Sequence, residues 1–407
     1  MAPDVSRLEI WRSAKNILCV RLDAMGDVLM TGPAIRALRE CSPNRRVTLL
    51  TSPSGAEAAR LIPWIDEILI YEAPWMKAPA LRADPGPDLA MIRRLAEAGF
   101  DAAAIFTVYS QNPLPAAFLC HLAGIPLRLA HCRENPYQLL TDWIPEREPE
   151  QFIRHEVRRQ LDLVAAVGCR AADERMVVHA PEQPRERVNA LLDEHGLADS
   201  QGPWVVIHPG STAPSRRYSP ESFAEAARRL VVDYGIRVVW TGSGSERPLI
   251  EEIQSSMGGA RSLSLAGELN LAELAALLER APLLISNNTG PVHVAASVGT
   301  PVVDLYALTN PQHTPWGVPN RVLNHDVPCK YCYKSVCPEG HHDCLRLVEP
   351  GQVVDAAVEL LGRDFGGFRE GEAPAEPTPA LGSAGASPSR DSSQPHMEHH
   401  RHVHVGN

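Results

Sequence analysis

Short apolar runs alternate with amphipathic stretches along most of this chain. The first run, 16–22, reads NILCVRL and is a strand of the kind buried in a parallel sheet. Further strands are predicted at 46–51, 65–71, 102–108 and 126–131, with helices at 27–39, 54–61, 89–99, 113–123 and 154–167 between and after them. Residues 1–15 read as a surface flap, with a short amphipathic turn at Leu8, Ile10 and Trp11 as the alternative, 74–87 as a Pro-rich loop, and the Arg-rich start of 154–167 as a solvated face. A strand-like stretch at 175–179 and a polar helix at 186–195 form a connection, and then the alternation restarts. Strands are predicted at 204–208, 237–241, 263–265, 283–286 and 301–306. Helices are predicted at 220–234, 246–256, 271–280, 292–298 and 351–361.

Such alternation implies βαβ units and parallel sheets. The expected class is α/β, with two Rossmann-like domains facing across a cleft. Residues 1–175 form the first domain, 176–203 the connection and 204–365 the second domain. From 366 to 407 the chain is mostly Ala, Pro, Gly, Ser and His. It has too little to bury to repay its ordering, so a disordered tail is expected.

Composition narrows the function. A net charge of -10 argues against general nucleic-acid binding, which needs a basic surface. No run has the length of a membrane span and no secretory leader is visible, so a cytoplasmic location is the expectation. The nine cysteines are not spaced like a secreted disulfide framework. Four of them, Cys329, Cys332, Cys337 and Cys344, lie close together around His341 and His342. Four thiolates suit a structural zinc, and a reduced structural loop is the alternative.

The candidate chemistry lies in loops that follow strands. In 286–296, SNNTGPVHVAA, a strand ends in small polar residues and turns straight into a helix. Thr289 suits the N-cap and Pro291 the first turn. Free backbone N–H groups and the helix dipole there favour a phosphate. After the strand 204–208, the hydroxyls of Ser211 and Thr212 can donate to phosphate oxygens. No G-x-G-x-x-G follows the first strand, which argues against a dinucleotide dehydrogenase.

Four stretches together resemble glycosyltransferase family 9, the lipopolysaccharide heptosyltransferases. They are RLDAMGDVLMTGPAIRALRE (21–40), HPGSTAPSRRYSPESFAEAA (208–227), TGSGSERPLIEEI (241–253) and SNNTGPVHVAASVGTPVV (286–303). The resemblance implies a GT-B fold, with an acceptor domain first and a nucleotide-sugar domain second. It also implies inverting transfer that requires no metal or other cofactor, of a heptose from an ADP-sugar to a lipopolysaccharide core or similar glycolipid. Such an enzyme would visit the inner leaflet of the membrane peripherally.

By the same resemblance Asp27 is the catalytic carboxylate, which accepts the proton of the acceptor hydroxyl. Helix capping is the competing role for Asp27, and Asp23 is the competing base. Arg216 matches the basic residue that steadies the departing diphosphate, with Arg217 as a supporting charge; an ordinary solvated basic turn is the alternative. Glu246 either accepts from ribose hydroxyls or serves a helix start. Thr289, Gly290 and Pro291 belong to the donor loop, and His293 either faces the phosphates or packs on the sheet. Where the family reads Asn-Asp-Ser/Thr-Gly, this chain has Asn288, an amide in place of the carboxylate that contacts the donor sugar. On this reading Asn288→Asp is tolerated or improves use of ADP-heptose. A transferase for another nucleotide sugar and a non-catalytic nucleotide-sugar binder are the rival functions.

Overall fold

Two six-stranded sheets, every strand parallel to its neighbours, carry the chain in a computed structural model that describes residues 5–76, 83–197 and 203–365. The first sheet is built from β1 (Asn16–Arg21), β2 (Arg46–Thr51), β3 (Glu67–Ile70), β4 (Ala102–Ile105), β5 (Leu127–Cys132) and β6 (Asp142–Pro145), in the order β3-β2-β1-β4-β5-β6. The second is built from β7 (Trp204–His208), β8 (Arg237–Trp240), β9 (Leu263–Ser264), β10 (Leu284–Asn287), β11 (Val302–Leu305) and β12 (Asn320–Leu323), in the order β12-β11-β10-β7-β8-β9. Each order reverses direction once, between β1 and β4 and between β7 and β10. Ligands of open parallel sheets bind beyond the strand ends at such reversals. The loops after β1, β7 and β10 carry the expected site residues except Glu246, which follows β8.

The central strands are mostly apolar because helices cover both faces of each sheet. β4 is wholly buried, and β1 is buried from Ile17 onward. The expected second, nucleotide-side sheet gains an edge strand that the pattern missed, β12, whose residues are only half-buried. β6, also missed, alternates half-buried and exposed positions and ends in a proline, as edge strands do. The two sheets lie in one compact unit, Met1–Gly366. The disorder expected for 366–407 lies outside the described residues.

Three local expectations give way. The described part of residues 1–15 is no flap: Val5–Ser13 is a helix with Trp11 fully buried. Buried Arg45 fixes it by donating to the carbonyls of Ala14, Leu38 and Trp11, which satisfies carbonyls near two helix ends. The helix Glu156–Ala165 does not start on a solvated face. Glu156 and Arg159 are buried at 0% and 1% exposure, and Arg159 pairs with Glu146. The stretch 175–179 is extended but joins no sheet. Val178 and His179 donate to Ser297 O and Leu61 O, so helix and loop carbonyls replace a ladder. The following helix is Glu182–Glu194. One disulfide, Cys41–Cys169 with Cα atoms 5.1 Å apart, was not signalled by the cysteine spacing.

Candidate active site

Arg21 closes β1 with a guanidinium wholly out of solvent, and such a charge persists only where it is fully paired. It binds three carboxylates: Asp23 at 2.8 Å, Asp27 at 3.0 Å and Glu156 at 2.9 Å. Gln160 donates to the same Glu156 oxygen at 2.6 Å, and Gln111 donates to Asp23. The three acids do not share one fate. Burial opposes ionisation of Glu156, but Arg21 and Arg159 outweigh it and hold that carboxyl at about 2. Burial raises Asp27, and Arg21 offsets this only in part while the Glu156 charge adds to the rise. Burial likewise raises Asp23. A carboxylate whose pKa is raised is a stronger base than a free one.

Asp27 lies in the first turn of the helix Met25–Glu40, whose N-cap, Ala24, has no side chain to cap with. The Ala24 N–H favours the charged form of Asp27, and an acid in the first turn suits the helix dipole, so a helix-start role is part of what the residue does. It does not exhaust the residue, because the same carboxylate holds Arg21 and a fifth of the side chain is exposed. That exposed part lies on two cavities. The larger, about 750 Å³, is lined by Asp23, Tyr71, Trp75, Phe106 and Gln111 besides Asp27. The smaller, about 220 Å³, is lined by Asp27, Ser211, Thr212, Arg216, Asn288 and His293 among others. Asp27 is thus a wall common to both, whereas Asp23 lines the larger only.

The smaller cavity is donor-rich. β10 ends in Asn287, whose amide donates to Pro209 O at 2.7 Å and accepts from Tyr218 N at 3.0 Å, pinning the loop after β7. The helix Gly290–Val298 starts beside it with Pro291 in its first turn. Thr289 is the N-cap residue as expected, but its hydroxyl bonds Asn287 O and caps nothing. Two close approaches pack this helix start on that of Met25–Glu40. A Cβ on Gly26 would stand 2.8 Å from the His293 ring, and one on Gly290 would stand 2.1 Å from the Met25 methyl.

Arg216 ends the short turn Pro214–Arg216 and pairs with no carboxylate among the described residues. Its neighbour Ser215 donates through Oγ to Lys334 O at 2.7 Å and through N to Ser335 O, so the cysteine-rich loop braces the turn. Arg217 donates to Ser211 O at 2.8 Å, a brace for the loop that lies outside the cavity lining. Glu246 also lies outside that lining. It completes a capping box with Ser243, accepting from the Ser243 N–H at 2.7 Å, while its other oxygen crowds Gly210.

His293 both packs on Gly26 and lines the cavity, and burial pushes it down to about 3, so its imidazole is neutral. His313, which sequence reasoning missed, lines the same cavity and is pushed down to about 4 by burial. His155 at the start of Glu156–Ala165 donates to Thr314 O at 2.8 Å, which ties the loop of His313 to the Arg21 cluster.

Asn288 is not simply a residue that lost a charge. Its Nδ2 donates to Asp304 Oδ2 at 2.8 Å and to His313 O at 2.9 Å. Aspartate at 288 would set a second carboxyl against Asp304 and a carbonyl oxygen, so the expectation that it is tolerated is withdrawn. Two carboxyls in one site cannot both ionise. Asn288→Asp is expected to lower stability by ~1–3 kcal/mol, the effect of an unsatisfied buried polar contact. The shared proton raises the folded-state pKa, so the loss deepens as pH rises and shrinks as pH falls. Melting curves at pH 5 and pH 8 read this, and an unchanged midpoint at pH 8 would refute it. Among the described residues, no three His, Cys, Asp or Glu side chains form a group that could hold a metal ion. Cys329 lies 3.6 Å from His341, and Cys329 and Cys344 pack against Tyr306, Leu308 and Val327.

The sequence profile of glycosyltransferase family 9 (heptosyltransferase) matches residues 89–342, more than half of the chain. The chain belongs to glycosyltransferase family 9. The match takes in Arg216 and the loop after β10, while Asp27 precedes it. Lipopolysaccharide heptosyltransferase 2 of Escherichia coli K12 is 27% identical over 259 residues, covering 61% of this chain and 73% of that protein. The family 9 enzyme of Veillonella parvula superposes with a TM-score of 0.72 at 22% identity, over 86% of this chain and 98% of that one. The E. coli heptosyltransferase WaaC, solved with ADP-2-deoxy-2-fluoro heptose, gives 0.59 at 16% identity, over 86% and 99%. This family 9 protein is therefore a glycosyltransferase with the two-sheet GT-B fold. Among its described residues no helix is long and apolar enough to cross a membrane.

Proposed function

We propose that this enzyme transfers a heptose, with inversion, from ADP-heptose to a lipopolysaccharide core or a similar glycolipid. One observation carries the reading: a single carboxylate, Asp27, borders both cavities. The acceptor occupies the larger one, where Tyr71, Trp75 and Phe106 offer apolar faces to a sugar ring. The donor's diphosphate occupies the smaller one, against Ser211, Thr212, Arg216 and the helix start at Gly290. An acceptor hydroxyl beside Asp27 then attacks the anomeric carbon from the face opposite the diphosphate. Asp27 takes the hydroxyl proton as the new glycosidic bond forms and the bond to the diphosphate breaks. Arg216 and the helix N–H groups meet the charge that grows on the leaving phosphate. The donor assignment is supported by the WaaC complex with an ADP-heptose analogue. A mere binder has no use for a base between two cavities.

Incubating the enzyme with core acceptor and ADP-, UDP- or GDP-sugars tests the reading. Transfer from ADP-heptose alone, with inverted anomeric configuration in the product, is the expected result. Release of a product with retained configuration would refute it. On this reading the enzyme works at the cytoplasmic side of the inner membrane, in peripheral contact with its lipid-linked acceptor.

The positive charge for the diphosphate comes from the protein, so the reaction is proposed to need no metal. Turnover is expected to survive chelation, and protein purified without added metal should carry no stoichiometric zinc. One equivalent of zinc, lost in Cys329→Ser and Cys344→Ser, would instead establish the zinc at the four cysteines.

A further inference from the structure

Asp304 lies in β11, buried completely, and lines neither cavity, yet it bonds to a residue that does. Its Oδ2 accepts from Asn288 Nδ2 at 2.8 Å, and its Oδ1 is buried without a partner among the described residues. The His313 carbonyl accepts from the same Asn288 nitrogen at 2.9 Å. A backbone carbonyl can only accept, so the amide has one orientation and both of its N–H bonds are taken by protein partners. The amide oxygen is the polar atom left to face ligand. No described residue bonds it, and it is not among the buried atoms left without partners.

We propose that Asp304 is a positioning residue that locks the Asn288 amide, so that Asn288 presents only a hydrogen-bond acceptor to a hydroxyl of the donor sugar. This rests on the reading of the smaller cavity as the donor site. An amide turned the other way would offer N–H groups to a sugar hydroxyl and lose its two buried partners. Locked as it is, Asn288 offers the sugar the acceptor-only chemistry of a carboxylate without its charge. The chain therefore holds its acid one strand away, on β11, where it acts through the amide and not on the ligand. Burial keeps the Asp304 carboxyl well above the usual carboxylate range. A neutral acid accepts through its carbonyl oxygen as an amide does, which makes asparagine its close substitute at 304.

Calorimetric titration of the full chain with ADP and with ADP-heptose separates this role from a structural one. In Asp304→Leu, which keeps the branched shape without the polar atoms, ADP-heptose is expected to bind about tenfold more weakly, the effect of one hydrogen bond to the ligand. ADP, which lacks the sugar, should bind as in the parent. Asp304→Asn should restore ADP-heptose binding to within about threefold, since its amide oxygen can accept from Asn288. Asn288→Ala, which removes the acceptor itself, should give the same sugar-selective loss and serves if Asp304→Leu does not fold. Equal weakening of both ligands, or none for ADP-heptose, would overturn the proposal. A parent that binds neither ligand would overturn the donor-site reading itself, and the role of Asp304 with it.

Discussion

Asp27→Asn is expected to lower turnover by about 10²–10⁴, the usual contribution of a positioned base. Asparagine keeps the shape and an acceptor oxygen, and serves a helix start about as well as aspartate does, so the helix start survives. It cannot take the acceptor's proton. Nucleotide-sugar affinity should hold within a few-fold, because the diphosphate contacts proposed above come from the loops after β7 and β10. In the parent, turnover should fall on the acid side, where the raised carboxyl of Asp27 becomes protonated and the base is lost. That limb should vanish in Asp27→Asn. Steady-state kinetics with a donor-binding control reads both effects. Parent-like turnover in a folded, donor-binding variant would remove Asp27 from the mechanism and turn attention to Asp23, which also faces the larger cavity.

Arg216→Ala is expected to lower kcat by about 10²–10³, the range seen when one preorganised group that meets transition-state charge is deleted. The residue stands at the cavity without a paired carboxylate among the described residues, so its charge is available to the leaving diphosphate. Donor KM should rise as well, since the ground-state diphosphate already carries charge. Arg216→Lys should recover part of kcat, because it keeps the charge and loses the planar fork. Arg217→Ala should act more weakly, through the Ser211 carbonyl that Arg217 holds. If kcat were unchanged in Arg216→Ala, the helix start at Gly290 alone would have to stabilise the leaving group.

The alternation of apolar runs and helices made both parallel sheets legible, because strands covered on both faces are near-continuous apolar runs. Edge strands escape that rule, and β6 and β12 escaped with it. The loops after β1, β7 and β10 were legible through their small residues and family motifs, and Asp27, Ser211, Thr212, Arg216, Asn288 and His293 do border one cavity. What stayed hidden depends on residues distant in sequence. Arg21 was read as part of an apolar strand, although a charge inside NILCVRL was itself a signal that partners wait in the core. Those partners include Glu156, 135 positions away, in a helix whose charges looked solvated. Asn288 was read alone, and only the pairing of β10 with β11 brings Asp304 to it.

The double exposure of Asp27 also sets a partition. With donor bound and the larger cavity empty of sugar, the nucleophile within reach of the carboxylate is water. On the proposed mechanism the same base then drives hydrolysis of the activated sugar, and the donor is consumed with no glycosidic bond made. Fidelity in such an enzyme is a contest for one carboxylate. Its outcome is governed by how completely an acceptor seated against Trp75 and Phe106 excludes solvent from Asp27 before the diphosphate begins to leave.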